Sequence, residues 1–425
     1  MTTKSSLKKL MALNLALIMI FSSIGFTFAA ENDVGENYYA YYEQDVPDKE
    51  DGDEALNNED DAEIPGEDEG IEAPGEEDIE APGEECDNEA SGEEDIEAPE
   101  TESPESPTVS GEQAIIATSV VTTWEQLQAA VWNHAVSTIV LGADITAHVG
   151  SASLWIDRAV RIEGQHNLFL DAGMIWIEDS GHLTLDGPIV RPNPSDSLRS
   201  AIFVSGGTFT LESGTVFGNT NVDSVYVGGQ GTFNMMGGAL ENLDPANTTS
   251  TGVLLISGGI FNMSGGIISG FQWPIFMMSN QAVSVNMTGG TITDSGSVNV
   301  SPGSSFNMQG GYITNLTNFL SVSVMGEFTM NGGNIHSNDE HGVVVGGNGR
   351  FTMNGGIIRD NHWSGVIVLP DGVFTMNDGS IHNNGYGGVG TWGEFIMNGG
   401  SIRYNEDSGV NILTSTQFNG RFTMN

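Results

Sequence analysis

The sequence has little positive charge and almost no cysteine. It contains 12 Lys and Arg residues against 57 Asp and Glu residues, a formal net charge of −45, and no lysine follows Lys49. Proteins that bind nucleic acid neutralise its phosphates with patches of Lys and Arg, so this composition excludes nucleic acid as a partner. The single cysteine, Cys86, excludes an intramolecular disulfide and leaves an intermolecular bridge or a free thiol.

Long apolar runs are also scarce, and the one that stands out lies at the N-terminus. Three lysines precede the apolar residues 10–20, and the small residues Ala29 and Ala30 close the segment. This order is typical of a secretory signal peptide, with a transmembrane anchor as the alternative. We predict a signal peptide over residues 1–30. The mature protein is then secreted or held at the cell surface, with no membrane span after signal removal.

Residues 31–113 form an acidic region. Between residues 31 and 110 there are 33 acidic residues and one base, and near-identical IEAPGEE units start at Ile71 and Ile79. Such a segment cannot bury enough apolar surface to offset its chain entropy, so we predict a disordered, extended linker. The carboxylates lack the ligand spacing of an EF-hand loop. We therefore predict no cofactor, with weak calcium binding as the alternative.

Residues 114–137 read as a cap on the folded region. Thr123–Val131 has the pattern of a short amphipathic helix, with Thr123 as the N-cap and Gln126 three residues later, which is a capping-box arrangement. The apolar face is Trp124, Leu127, Ala130 and Val131. A solenoid needs such an element because its first coil has no neighbour to cover the core.

One unit recurs over residues 138–425, and its clearest copy is GRFTMNGGIIRDN from Gly349. Consecutive copies are 21–28 residues apart, a period near 23 that marks a solenoid. Helical repeats are excluded because each unit carries several glycines, and Gly in a helix costs about 1 kcal/mol relative to Ala. The inward-facing position of each unit is taken as Ile139, Val160, Leu183, Phe209, Phe233, Phe261, Val285, Phe306, Phe328, Phe351, Phe374, Phe395 and Phe422.

Each unit predicts one coil of three short strands. In Phe351–Met353 the alternation points Phe and Met inward and Thr outward, and Asn354–Gly356 suits a sharp corner. A second strand starts near Ile357, and Gly365–Val368 is the third. The sequence therefore predicts an all-β parallel β-helix of about 23 residues per coil and about 13 coils, a rod of roughly 60 Å. Since Phe422 and Met424 open a further coil, we expect a C-terminal truncation.

Asparagine recurs at one corner, three residues after the apolar residue of the second strand. Stacked amides would satisfy backbone groups that are left unpaired where strands end. The predicted ladder is Asn219, Asn338, Asn361, Asn384 and Asn405.

Residues 120–425 resemble the right-handed parallel β-helix repeat proteins that bacteria export, within the pectate-lyase-like superfamily. The likeness rests on the F-x-M-x-G-G-x-I units and on the T-W-x-x-L-x-x-A-V segment from Thr123. It implies the fold and a choice of function, because the superfamily includes adhesins, phage tailspikes and polysaccharide-cleaving enzymes. Polymorphic autotransporter proteins differ in placing their GG elsewhere in the repeat. We favour adhesion or a structural binding surface, with a polysaccharide lyase or glycosidase for acidic glycans as the alternative.

Candidate site residues follow from that choice. Pectate lyases of this fold use an Arg or Lys as base. The column after the second-strand Ile offers His336, Arg359, His382 and Arg403, with Asp360 beside it, although one solvated position per coil also gives such a row. For binding, the outward middle position of the third strand gives Phe203, Tyr226, Leu254, Val344 and Ile367, and Trp363 and Trp392 could stack on sugar. The partner would be carbohydrate or a host or cell-surface protein. No metal motif occurs.

Overall fold

The computed structural model describes residues 117–148, 153–171, 173–192, 200–218, 223–243, 250–278, 281–318, 320–414 and 418–425. The predicted signal peptide, the acidic region, Cys86 and Asn219 lie outside these residues. No helix in the described part of the chain is long and apolar enough to cross a membrane.

The described residues form a parallel β-solenoid, which confirms the predicted fold. Each coil has a first, a second and a third strand, separated by a first and a second corner, and a third corner leads to the next coil. Every pairing between the named strands is parallel, and the third strands form a sheet of 12 strands. There are about 12 turns of about 23 residues each.

The strand bounds follow the three columns of this coil. The third strands are Leu154–Ile156, Ile175–Ile177, Ile202–Ser205, Asp223–Gly228, Thr251–Leu255, Trp273–Met277, Val298–Val300, Leu320–Val324, His341–Val345, Val366–Val368, Gly387–Thr391 and Ser408–Ile412. The first strands are Ala117–Val121, Val136–Leu141, Ala159–Glu163, His182–Pro192, Thr208–Gly218, Thr232–Met235, Ile260–Met263, Ser284–Met287, Ser305–Met308, Glu327–Met330, Arg350–Met353, Val373–Met376, Glu394–Met397 and Arg421–Met424. The remaining strands are second strands, namely Ile145–Ala147, Asn167–Leu170, Ala239–Asn242, Ile267–Ser269, Thr291–Thr293, Tyr312–Thr314, Asn334–His336, Ile357–Arg359, Ser380–His382 and Ser401–Arg403. His182–Pro192 and Thr208–Gly218 pass through the first corner and also serve as second strands.

A nine-residue helix, Trp124–Trp132, covers the first coil. Its N-cap is Thr123, whose hydroxyl accepts from the Gln126 amide at 3.3 Å, and its buried residues are those of the predicted apolar face. Arg158 caps the C-terminal end of the helix, because its Nη2 donates to the carbonyls of Ala130 and Val131. A positive charge at this end also interacts favourably with the helix dipole. The strand Ala117–Val121 ahead of this helix was not predicted; it pairs with Val136–Leu141.

Phenylalanine and methionine fill the core in register. The rings of Phe351 and Phe374 stack with centroids 4.8 Å apart and planes 9° from parallel. The methyl group of Met330 lies against Gly356 of the next coil, where φ is +87° and a Cβ would stand 2.6 Å from Met Cε. From Gly266 to Gly400 the glycine that ends the first corner is therefore required both by its backbone conformation and by the methionine of the preceding coil.

The register of the first complete coil differs from the prediction. Ile139 pairs with Ile162, whereas the spacing had matched it to Val160. Both side chains are buried, so the two-residue offset keeps the inward face unchanged, because side chains alternate with a period of two along a strand.

The second corner turns through a residue in the left-handed region, which the sequence did not predict. Asp360 has φ +53° and Asn383 has φ +56°, and Tyr404 takes the same conformation at +54°. Asp and Asn adopt this region more readily than other residues with a side chain, whereas Tyr404 holds it under strain. The turn points the next residue of the chain into the core.

That inward residue carries the amide ladder. Asn338 donates from Nδ2 to Asn361 Oδ1 at 2.8 Å, and the same bond joins Asn361 to Asn384 and Asn384 to Asn405, both at 2.9 Å. The backbone amide of Asn338 also donates to Asn361 Oδ1 at 3.2 Å. Asn338, Asn361 and Asn384 are buried, so the ladder satisfies corner groups that water does not reach.

We expect the Asn361→Leu substitution to lower the free energy of unfolding by about 3 kcal/mol or more, because each buried polar group left without a partner costs roughly 1–3 kcal/mol. Denaturant titration followed by circular dichroism measures the change. The matched control is Asn354→Leu, since Asn354 makes equivalent bonds between side-chain amides, to Asn331 and Asn377 at 2.8 Å, but is exposed. Its cost should stay below about 1 kcal/mol; equal losses would contradict burial as the cause.

Candidate functional site

The second corner of the last four complete coils collects most of the polar residues that the sequence singled out. His336, Arg359, His382 and Arg403 occupy one position in four neighbouring second strands, each paired in register with the next. They end the outer face of that sheet, one residue before the left-handed turn. The row is therefore a continuous feature of the surface, with roughly 4.8 Å between members.

Within the row the groups are partly engaged. Arg359 forms an ion pair with the neighbouring Asp360, and the Arg403 guanidinium lies 5.6 Å from the ring centre of Tyr404. Burial, and after it the charge of Arg359, lowers the pKa of His336. The row thus presents a neutral imidazole and a neutralised guanidinium. Among the described residues no group of three His, Cys, Asp or Glu side chains could hold a metal ion.

A second row, Glu340, Trp363, Tyr386 and Asp407, runs along the far side of the same corner. The backbone amides of Trp363 and Tyr386 each donate to the carbonyl of the preceding member at 3.1 Å. Oε2 of Glu340 is buried and has no hydrogen-bond partner among the described residues, and burial raises the pKa of its carboxyl. Of this row, the predicted site residues included only Trp363.

His341 lies directly behind this row, in the core. It is 5% exposed, its Nδ1 accepts from the Ser364 amide at 3.1 Å, and its ring meets Trp363 edge to face at 5.7 Å. Burial lowers the pKa of His341 to about 3. The imidazole is consequently neutral in the folded protein and supports the position of Trp363.

An aromatic column runs along the outer face of the third strands. Trp155, Trp176, Phe203 and Tyr226 occupy paired positions in successive strands, and we call them the outer aromatic column. Their ring centroids are 5.0, 4.4 and 4.1 Å apart. The sequence identified Phe203 and Tyr226 but not the two tryptophans, although the alternation L-W-I and I-W-I was the available signal. Leu254 and Phe276 continue the column.

Two members of the predicted outward stripe, Val344 and Ile367, are buried and therefore do not offer the binding surface expected of them. They occupy the expected outward position, but Val344 is 2% and Ile367 7% exposed. Ile367 leans over Gly390 of the next coil, where a Cβ would stand 2.8 Å from its Cδ1. Because Gly390 has no side chain, Ile367 of the preceding coil can lean across it and become buried.

The two tryptophans proposed for sugar stacking lie at different corners. Trp363 precedes the third strand of its coil, at the second corner, whereas Trp392 follows the third strand Gly387–Thr391 at the third corner. Both are half-buried. They therefore do not form one platform, and each must be considered with its own surroundings.

The titration of His341 predicts a loss of stability in acid. An unfolded histidine has a pKa of roughly 6.5, above the folded value of about 3, so the unfolded chain binds an extra proton between these pH values. Stability should fall as pH decreases through this window, with a slope that approaches about 1.4 kcal/mol per pH unit. Thermal unfolding of the protein and of His341→Asn between pH 3 and 7 measures the difference, which isolates His341 from Glu340 and His362 nearby. Parallel curves for the two proteins would contradict this assignment.

Comparison with known proteins agrees with this architecture. The family described as "Putative pectate lyase-like adhesive domain" matches residues 118–340, or 223 of the 425 residues. The match covers the helical cap, the outer aromatic column and the coils as far as Glu340. Neither the curated proteins nor the solved structures contain a match. The chain belongs to the pectate lyase-like adhesive domain family.

Proposed function

We propose that this protein is secreted and acts in adhesion at a cell surface, where the outer aromatic column contacts a protein partner. The observation that carries the proposal is the column itself, four stacked rings on the outside of a rigid sheet, of which Trp155 is 42% exposed. A contiguous apolar patch on the surface of a soluble protein is typical of an interaction site. The adhesive family of the chain supports the same role.

The geometry of the column favours protein over carbohydrate. A sugar stacks on an open ring face, but here each ring covers the face of the next, with Phe203 and Tyr226 only 7° from parallel. What remains accessible is the ring edges of these side chains, which are half-buried or exposed. Such a ridge suits apolar side chains of a partner protein, and aromatic residues are frequent at protein interfaces.

The state of the polar row supports binding over cleavage. A lyase of this fold would need a free basic group beside a metal-bound substrate, and the best-placed arginine, Arg359, is already paired with Asp360. The row also continues into the two preceding coils, at Thr314 and Thr293. The charged members are therefore part of a longer polar column. We therefore propose that the rod binds partners through its surface and does not cleave glycans.

We expect the double substitution of Phe203→Ser and Tyr226→Ser to reduce attachment at least tenfold, because it removes two ring edges from the middle of the patch. Attachment of the full chain to whole cells and to immobilised fibronectin, collagen and fibrinogen measures the effect. Tyr312→Ser is the matched control, since Tyr312 is 51% exposed on another face and should be neutral. Unchanged attachment in a double variant that keeps its circular dichroism spectrum would reject the proposal. Protease treatment of the cells should abolish attachment if the partner is protein.

We also expect no release of unsaturated or reducing products from pectin and other acidic glycans, with or without calcium. The physical reason is that Arg359, the best-placed basic group of the row, is already paired with Asp360. A release assay monitored by absorbance of unsaturated uronate tests this, and a commercial pectate lyase serves as the positive control. Product formation that disappears in Arg359→Met would instead establish the enzymatic alternative.

A further inference from the structure

The length of the third corner shapes the rod between one coil and the next. Between Val324 and Phe328 this corner has three residues, 325–327, whereas the corners on either side have five each, 301–305 and 346–350. The short corner thus forms the bottom of a notch, and the longer corners form its walls. The notch is open to solvent and has a volume of about 560 Å³, within the roughly 300–1,000 Å³ typical of small-molecule sites.

An apolar floor and an unpaired acid and base define this first notch. Met325 lines it and is half-buried, while Glu327 and Arg350 are exposed at its edge. Their Cα atoms lie opposite each other in adjacent strands. In the described part of the chain the ion pairs involve only Arg161, Arg359 and a histidine, so Glu327 and Arg350 are not joined. A carboxylate that only accepts and a guanidinium that only donates therefore stand side by side.

A second three-residue corner, Trp392, Gly393 and Glu394, lies three coils further along and follows the five-residue corner 369–373. Glu394 lies opposite Arg421, and we call the recess beside that five-residue corner the second notch. The amides of Trp392 and Gly393 both donate to one carbonyl, that of Val368, at 2.7 and 3.2 Å. In the first notch the amides of residues 325 and 326 donate to the Val300 carbonyl in the same way, at 2.8 and 2.9 Å.

Glycine at the centre of each short corner keeps the notch deep. A Cβ on Gly326 would stand 2.3 Å from the carbonyl oxygen of Ser301, and one on Gly393 would stand 2.4 Å from that of Gly372. Any side chain here would push the short corner outward, away from the longer corner beside it. The glycine, the flanking apolar residue and the glutamate recur together as M-G-E-F and W-G-E-F.

We propose that the two notches bind a neutral, linear polysaccharide. Adjacent hydroxyls of a sugar each donate and accept, so one vicinal diol can donate to Glu327 while it accepts from Arg350. The apolar C–H face of the ring then packs on Met325, or on Trp392 in the second notch. Each acid–base pair is neutral, and residues 111–425, which contain the coils, hold 24 acidic residues against 8 Arg, a net charge of −16, which disfavours polyanionic glycans through like-charge repulsion.

The spacing of the notches favours a polymer over a single sugar. Three strand steps separate Glu327 from Glu394, a distance of roughly 14 Å along the rod. A glycan that is long enough to reach both notches would bind the second one intramolecularly, with a gain in affinity that needs no new contact. These notches lie at the third corner, so this binding does not depend on the outer aromatic column or on the proposed protein partner.

Calorimetric titration of the full chain tests the proposal, with gluco-, manno- and xylo-oligosaccharides of two to eight β-1,4-linked units as probes. We expect at least one series to bind, and its longer members to bind about tenfold or more tightly than its dimer, as avidity predicts. Glu327→Gln with Glu394→Gln should abolish binding, and either change alone should remove the dependence on chain length. Glu241→Gln, the same charge change on the outer face of a second strand, is the matched control and should bind normally.

Three outcomes would overturn the proposal. The first is that no series binds to the unmodified chain, and the second is that the double glutamine variant, with an unchanged circular dichroism spectrum, binds as well as the control. The third is that only hexagalacturonate, an anionic probe, binds. The variant with Phe203→Ser and Tyr226→Ser should keep its glycan binding, so failure of either proposal can be distinguished from failure of the other.

Discussion

The contact between a methionine methyl group and a left-handed glycine holds successive coils in one register. In each of seven consecutive coils, from Gly266 to Gly400, the glycine that ends the first corner has positive φ and lies against the Cε of the methionine one coil earlier. Because any other residue would collide at this point, a coil cannot slip along its neighbour without losing the fit. Phenylalanine then stacks on phenylalanine and asparagine on asparagine as consequences of that registration.

Fixed register turns every outward position into a column, and the environment of a residue is decided by its neighbours in the column. Phe203 and Tyr226 remain accessible because each is flanked by another ring of similar size. Ile367, at the same position of a later coil, is covered because Gly390 leaves room for it to lean across. Surface chemistry in this protein is thus a property of adjacent coils taken together, and a single repeat does not determine it.

This dependence explains which features could be predicted from the sequence. The repeat, the inward phenylalanines, the capping helix at Thr123 and the described part of the asparagine ladder follow from local rules of alternation, capping and corner chemistry, and the structure has them. The burial of Val344 and the lack of a partner for Glu340 Oε2 depend on neighbouring coils, 20 or more residues away in the sequence, which an analysis of one unit does not include. The left-handed conformation of Tyr404 was also beyond prediction, because it is imposed by the six equivalent corners before it.

Variation in corner length creates concave sites on the surface, which the constant core cannot do. A solenoid with identical coils has smooth sides, and its flat faces offer ridges such as the outer aromatic column but no concave sites. Shortening one third corner by two residues leaves the strands and the Phe328 stack untouched, yet it opens a notch beside Glu327. Since the core only requires that each corner returns the chain to the same register, corners are free to differ in length and charge. The same fold can therefore carry an aromatic ridge on one face and separate recesses at an edge.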